Sequence, residues 1–263
     1  MANVHDKNVK VSNKMNDKKT VIEMTDVCKA FGSKKILDDM NLSVYEGESV
    51  VLLGQSGMGK SVTLRLILGL LDVDSGSIKI DGEEITGFSD SEIYENNKKM
   101  GMLFQNGALF DSLCVWENIA FALTNVYGMN EVDAKKIAIA KLKDVGLSEK
   151  IADMMPADLS GGMRKRVGLA RAIATEPKIL FFDEPTTGLD PIMSDVINDL
   201  IVRCVKHLGA TALTITHDIN SARKIADRIV MLKDGKIIWQ GKPSDLDHPK
   251  NQYVAKFVSG TKI

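Results

Sequence analysis

The chain is predicted to fold as an α/β protein built on a parallel sheet, because three short runs occur in it in a telling order. The first, Gly54-Gln55-Ser56-Gly57-Met58-Gly59-Lys60-Ser61, matches a Gly-x-x-x-x-Gly-Lys-Ser phosphate loop at each specified position. It sits between an apolar strand, Val50 to Leu53, and a helix-like stretch, Val62 to Leu71, which is the setting such a loop requires. The second run is Leu159-Ser160-Gly161-Gly162-Met163. The third, Ile179 to Phe182, is continuously apolar, ends in Asp183-Glu184, and reads as a strand buried on both faces. Ligands of open α/β sheets sit beyond the carboxyl ends of strands, so Asp183 and Glu184 are expected beside the phosphate loop.

These residue types imply a site for a nucleoside triphosphate. Glycines at 54, 57 and 59 let successive backbone N–H groups turn inward onto phosphate oxygens, at the positive end of the helix that follows. Lys60 is then expected to reach the β and γ phosphates of ATP, and the Ser61 hydroxyl to ligate Mg²⁺. Asp183 is expected as a direct or outer partner of Mg²⁺, and Glu184 as the group that polarises the attacking water.

Along the chain, residues 1–20 are polar, carry five lysines and show no periodic apolar pattern, so they read as a mobile tail. One domain is expected over 21–245. Strands are predicted around Val21 to Val27, Met40 to Tyr45 and Val50 to Leu53, then at Ser77 to Ile80 with an Asp81-Gly82 turn. A helical lobe is expected over about 110–160, where Val132, Ile137, Leu142 and Val145 recur at helical spacing and the interspersed lysines form a solvated face. A helix through roughly Ser194 to Leu208 precedes a buried strand, Ala212 to Thr216, that ends at His217. Ile229 to Leu232, Asp234-Gly235 and Ile237 to Trp239 read as a β-hairpin. Residues 246–263 form a C-terminal tail in which Tyr253 and Phe257 lie at helical spacing.

Composition narrows the class. A length of 263 residues supports one large core, and 44% hydrophobic with 26% charged residues is the balance of an ordinary globular protein. The formal net charge of −1 gives no reason to expect a nucleic-acid partner. Cys28, Cys114 and Cys204 are widely spaced with no Cys-x-x-Cys pair, which points to a reducing compartment. Apolar stretches such as Leu66 to Leu71 fall far short of the ~18 residues that span a bilayer, and the N-terminus has no signal-like core, so a cytoplasmic chain is expected.

Leu159 to Met163, followed by Arg164-Lys165-Arg166-Val167, resembles the signature sequence of ATP-binding cassette (ABC) ATPases. The resemblance implies an ABC cassette: a RecA-like parallel-sheet core, an N-terminal antiparallel β subdomain and a helical signature subdomain. It implies that Phe31 stacks on adenine, although a core aromatic is its structural alternative. Gln105 stands at the family's Q-loop, where an amide senses Mg²⁺ and links the lobes. Gly188-Leu189-Asp190 matches the D-loop, with Asp190 at the nucleotide site, and His217 matches the switch histidine that contacts the γ-phosphate. Ser160, Gly161 and Gly162 begin a helix whose N-terminus completes the ATP pocket of a second copy of the chain. Two copies would thus sandwich two ATP molecules and convert nucleotide binding into motion of attached membrane domains.

Met163 stands where many of these ATPases have glutamine. With Arg164-Lys165-Arg166, and with Met102 to Leu113 leading into Val115-Trp116-Glu117-Asn118, it is similar to the MlaF-like branch that powers lipid trafficking with MCE proteins. That branch implies transport of phospholipids or similar hydrophobic molecules, with an MlaE-like permease, an MCE-domain protein and a small STAS-domain subunit. It also implies a peripheral place on the cytoplasmic face of a bacterial inner membrane. The alternative is the ATPase of a small-solute importer, since this subunit need not touch the cargo. A non-transport ATPase acting on DNA or ribosomes is disfavoured by the single cassette, the missing heptad run and the missing basic patch.

Overall fold

The computed structural model describes residues 18–261; the tail expected over residues 1–20 lies outside them except for residues 18–20. Strands β1 (Thr20–Phe31) and β2 (Lys34–Tyr45) make a long antiparallel ribbon, and β3 (Ser49–Leu53) runs through the phosphate loop into helix α1 (Lys60–Ile67). There follow β4 (Ser75–Ile80), β5 (Glu83–Glu84), α2 (Asp90–Asn97) and β6 (Met100–Leu103). A helical segment holds α3 (Val115–Asn125), α4 (Glu131–Asp144) and α5 (Gly161–Ala172). The chain then alternates through β7 (Ile179–Asp183), α6 (Pro191–Leu208), β8 (Thr211–Thr216), α7 (Ile219–Ile225) and β9 (Arg228–Lys233), and closes with β10 (Lys236–Gly241) and α8 (Gln252–Ser259).

Two sheets result. An antiparallel sheet has the order β2-β1-β4-β5, and a second sheet has the order β10-β9-β3-β8-β7-β6. In the second, β9, β3, β8, β7 and β6 are parallel, and only β10 runs against its neighbour. Alternate residues of β3 face two different cores. Val50 and Leu52 share a core with Ile22, Met24 and Leu37 of the antiparallel sheet, whereas Val51 and Leu53 share one with Val167 and Leu169 of α5. Both faces of the central strands are therefore covered, which is why β3 and β7 read as near-continuous apolar runs and why β8, with three threonines among its six residues, is buried throughout. Register then fixes the site: Leu53 lies opposite Thr216 and Met231, and Asp183 opposite Ile215, so the carboxyl ends of β3, β8 and β7 stand level.

Several expectations need correction. Helix α1 stops at Ile67 rather than Leu71, because the chain turns at Gly69 in a left-handed conformation (φ 66°) against Ile93. Leu70 is consequently exposed. In α4 the inward stripe is Ala134, Ala138 and Leu142, continued by Val145, while Val132 is 68% exposed. Small alanines let α4 approach its neighbours closely, a contribution that a search for large apolar residues overlooks. Nor are all the lysines there solvated: Lys141 is buried and its Nζ lies 3.0 Å from Glu176 Oε1. Helix α2 was not expected at all; it is polar, and it starts where Glu92 accepts a hydrogen bond from the Ser89 amide at 2.8 Å. The β9–β10 turn forms as predicted, with Asp234 and Gly235 both at positive φ (48° and 78°), as a tight hairpin of right-twisting strands requires.

The segment expected as a C-terminal tail carries α8, whose Val254 is buried in the core beside Leu246. Among the described residues, no helix is long and apolar enough to cross a membrane. One packing constraint is sharp enough to test. A Cβ added at Gly101 in β6 would fall 2.1 Å from the carbonyl oxygen of Ala172 and 2.8 Å from Pro177 Cγ. Gly101→Ala must push β6 away from the end of α5, at an overpacking cost of about 1–3 kcal/mol. Calorimetry should show a lower Tm, and an unchanged Tm would contradict this packing.

Candidate functional site

The phosphate loop leaves β3 at Gly54, where an added Cβ would sit 2.7 Å from the Leu232 carbonyl oxygen, so only glycine lets the turn start against β9. The loop ends at Gly59 (φ 100°), which caps α1. Lys60, just inside the helix, is only 5% exposed. Its Nζ donates to the carbonyls of Gly54 at 2.7 Å and Gln55 at 3.0 Å, and lies 3.5 Å from Glu184 Oε1. Burial draws the Lys60 ammonium below its ordinary pKa, against the raising influence of Glu184 and Asp183.

Glu184 follows β7 in the left-handed region (φ 47°), an uncommon conformation for a residue with a side chain. Its Oε2 is engaged by His217 Nδ1 at 2.8 Å, Thr187 Oγ1 at 3.0 Å and Thr216 Oγ1 at 3.4 Å. Burial alone would raise this carboxyl; the hydrogen bond and charge of His217, the Lys60 ammonium and the Thr187 hydroxyl together hold it below its ordinary value. Glu184 is thus ionised at neutral pH and can only accept, so His217 Nδ1 carries the hydrogen and Nε2 is the open edge of the ring. Asp183 behaves oppositely. Burial and the Glu184 charge raise its carboxyl, with partial relief from Arg65 and Lys60.

A cleft of about 460 Å³ brings together Phe31, Ser56, Gly57, Gly59, Lys60, Ser61, Gln105, Glu184, Thr187 and His217. Phe31 stands at the end of β1 with half its surface exposed and Lys29 Nζ 5.7 Å from its ring centre, so it is no core aromatic. Ser61 and Gln105 offer neutral oxygen donors beside Lys60, a set that suits a hard cation such as Mg²⁺; Asp183 is not among the cleft-lining residues. A larger hollow of about 740 Å³ adjoins, shares Thr187 and His217, and lacks the phosphate-loop lysine.

Other expected site residues lie apart from the cleft within one chain. Ser160 caps α5, its Oγ accepting from the Met163 amide at 3.3 Å, and Gly161 beside it is exposed. Gly162 packs on Met193, which a Cβ would meet at 3.1 Å. Asp190 caps α6, its Oδ1 accepting from the Met193 amide at 2.9 Å. Gln55 contributes a carbonyl to Lys60 and also accepts from the Met58 amide at 3.4 Å, so these two shape the loop itself.

Residues 37–187 match the family model described as ABC transporter. The chain belongs to the ABC transporter family. Of its curated relatives, the intermembrane phospholipid transport system ATP-binding protein MlaF of Haemophilus influenzae is 39% identical over 91% of this chain and 90% of that protein. The probable ribonucleotide transport ATP-binding protein mkl of Mycobacterium leprae is 41% identical over 92% of this chain and 70% of that protein. Among solved structures, the dimeric post-hydrolysis state of the ATP-binding cassette MJ0796, bound to ADP and Pi, matches with a TM-score of 0.77 at 33% identity. That match covers 84% of this chain and 98% of the other. The two-sheet architecture is that of an ABC cassette, and the protein is the ATP-binding and ATP-hydrolysing subunit of an ABC transporter.

Within this ABC cassette the structure adds residues that sequence reasoning passed over. Arg171 of α5 donates to the carbonyls of Gly107 at 2.7 Å and Ala108 at 2.8 Å, holding the segment after Gln105 onto the signature helix. Ser221 is fully buried; its hydroxyl donates to Asp218 Oδ2 at 2.6 Å and accepts from Asn198 Nδ2 at 2.9 Å and Thr186 Oγ1 at 3.0 Å. With one hydrogen and two lone pairs the hydroxyl is saturated, and it joins the turn after His217 to the turn after Glu184. Lys165 of α5 is 4% exposed and donates to the carbonyls of Pro185 at 2.8 Å and Thr187 at 2.5 Å. Burial brings its ammonium down to about 8, with the Glu184 charge acting the other way. A signal for Lys165 exists in the sequence: it lies three residues from Gly162 and from Gly168, on the face of small residues that α5 buries.

Proposed function

We propose that this cassette powers transport of phospholipids or similar hydrophobic molecules across a bacterial envelope as part of an MCE-type system. The observation that carries this reading is the match to MlaF, which runs nearly end to end through both chains, whereas mkl extends well beyond the region it shares. Met163 in the signature and the Met102-to-Asn118 stretch support it from within the sequence. The partners of such a system are an MlaE-like permease, an MCE-domain protein and a STAS-domain subunit, with the cassette held peripherally at the cytoplasmic face of the inner membrane. Residues 21–245 act as its ATPase unit. The 41% identity to mkl favours a second reading, a small-solute transporter.

The chemistry proposed for the site follows from the geometry. Phe31 stacks on adenine at the cleft rim, and the backbone N–H groups of residues 54–61 receive the phosphates at the start of α1. Lys60, held by loop carbonyls beside Glu184, is the charge that meets the β and γ phosphates. Ser61 and Gln105 would hold Mg²⁺, with Asp183, outside the cleft lining, as its outer partner; the ion would neutralise charge on the phosphates. Glu184 is the general base: Oε2 is occupied by His217, Thr187 and Thr216, which leaves Oε1, 3.5 Å from Lys60 Nζ, as the oxygen to take a proton from water. His217 presents Nε2 to the γ-phosphate. Ser160, Gly161, Gly162 and Asp190, remote from their own cleft, complete the site of a second copy.

The test is to isolate the Glu184→Gln protein from native membranes in mild detergent and identify co-purifying proteins and lipids by mass spectrometry. An MlaE-like permease with an MCE protein and phospholipid is the expected result. A different permease would move the cargo to the small-solute class, and DNA or ribosomal partners without a permease would overturn the transport reading.

A further inference from the structure

Lys165 is a buried amine with no carboxylate in ion-pair range among the described residues. Its two acceptors are main-chain carbonyls, Pro185 O and Thr187 O, which flank Thr186 in the turn between Glu184 and the D-loop. A buried ammonium satisfied only by carbonyls is an expensive way to hold two strands of chain together, since apolar packing would do so without the desolvation penalty. What the ammonium supplies instead is direction: it fixes two carbonyls to one point on α5. The same turn is fixed on its far side by the Thr186–Ser221 hydrogen bond and internally by Thr187 Oγ1 on Glu184. Thr187 therefore touches Lys165 through its carbonyl and Glu184 through its hydroxyl.

We propose that Lys165 is a positioning residue for hydrolysis, clamping the turn after Glu184 to the signature helix so that the placement of α5 sets the placement of the catalytic carboxylate. The proposal rests on the reading of Glu184 as the base. It assigns to Lys165 an internal link between the two halves of the machinery in one chain: the helix that begins at Ser160, and the carboxylate that serves that chain's own nucleotide. Lys165 touches neither the phosphate loop nor Phe31, so its loss should disturb turnover without disturbing ATP binding.

The experiment compares Lys165→Met, Lys165→Gln and Lys165→Arg with Glu184→Gln in the full chain, measuring ATPase kcat and KM, equilibrium ATP affinity and hydrogen exchange. Lys165→Met, which keeps the stem but no donor, should lose about 10–10² in kcat, the scale expected for a misplacement of ~1 Å, with ATP affinity within about threefold of wild type. Its amide exchange should rise selectively in residues 186–189. At least one of Lys165→Gln and Lys165→Arg, which supply two and five N–H donors respectively, should recover kcat to within about threefold. Wild-type kcat in Lys165→Met, an equal loss of ATP affinity, unchanged exchange in residues 186–189, or failure of both donor variants to recover turnover would each overturn the proposal. Failure of the underlying reading has a different signature, because Glu184→Gln would then itself turn over ATP.

Discussion

Glu184→Gln should bind ATP at least as well as the parent protein and hydrolyse it about 10²–10⁴-fold more slowly, the range for loss of a positioned base. The carboxylate lies 3.5 Å from Lys60, in the cleft proposed to receive the phosphates, so neutralising it should remove a negative charge from the neighbourhood of a polyanion. Glutamine keeps the length of the side chain, and its amide can still meet Thr187 and Thr216. What it loses is the ability to take a proton. Steady-state phosphate release together with equilibrium ATP binding reads both properties, and near-wild-type turnover would remove Glu184 from the role of base.

Lys60→Ala should have the converse effect. The ammonium is held by the Gly54 and Gln55 carbonyls and reaches the base only through Glu184 Oε1 at 3.5 Å, whereas His217, Thr187 and Thr216 hold Oε2, so its loss strikes phosphate recognition more than the orientation of the base. Hydrogen bonds to charged groups contribute about 1.5–3 kcal/mol, which corresponds to roughly a tenfold to hundredfold weaker Kd for ATP. Titration with a fluorescent ATP analogue would measure the change. Undiminished affinity would take Lys60 out of the nucleotide site.

Much of this site is legible in the sequence because it is built from local rules. A phosphate loop must curl within a few residues, so its glycines and lysine are contiguous, and the strand feeding it is marked by unbroken apolar residues. The same is true of Asp183 and Glu184, which simply end a doubly buried strand. The bonds that orient those groups are less visible. Thr187 reaches Glu184 from only three residues on, but Thr216 meets it because β7 and β8 pair in one register, and nothing near Thr216 announces the partner. Lys165 is hidden for another reason: a lysine in a basic run reads as solvated, and only the helical face it shares with Gly162 and Gly168 betrays its burial. Likewise Val132 was a stronger apolar signal than Ala134 or Ala138, yet close helix packing selects the alanines.

Ser160 and Gly161 are exposed at the start of α5 and stay outside their own cleft, so the reading stands or falls on a second copy supplying them. Sedimentation velocity on Glu184→Gln is the most direct test, with Mg²⁺-ATP, with Mg²⁺-ADP, and with Ser160→Arg added to block the signature face. A dimer is expected with ATP, a monomer with ADP, and a monomer with either nucleotide once Ser160→Arg is present. A saturated ATP complex that sediments as a monomer, or an ATP dimer indifferent to Ser160→Arg, would contradict it.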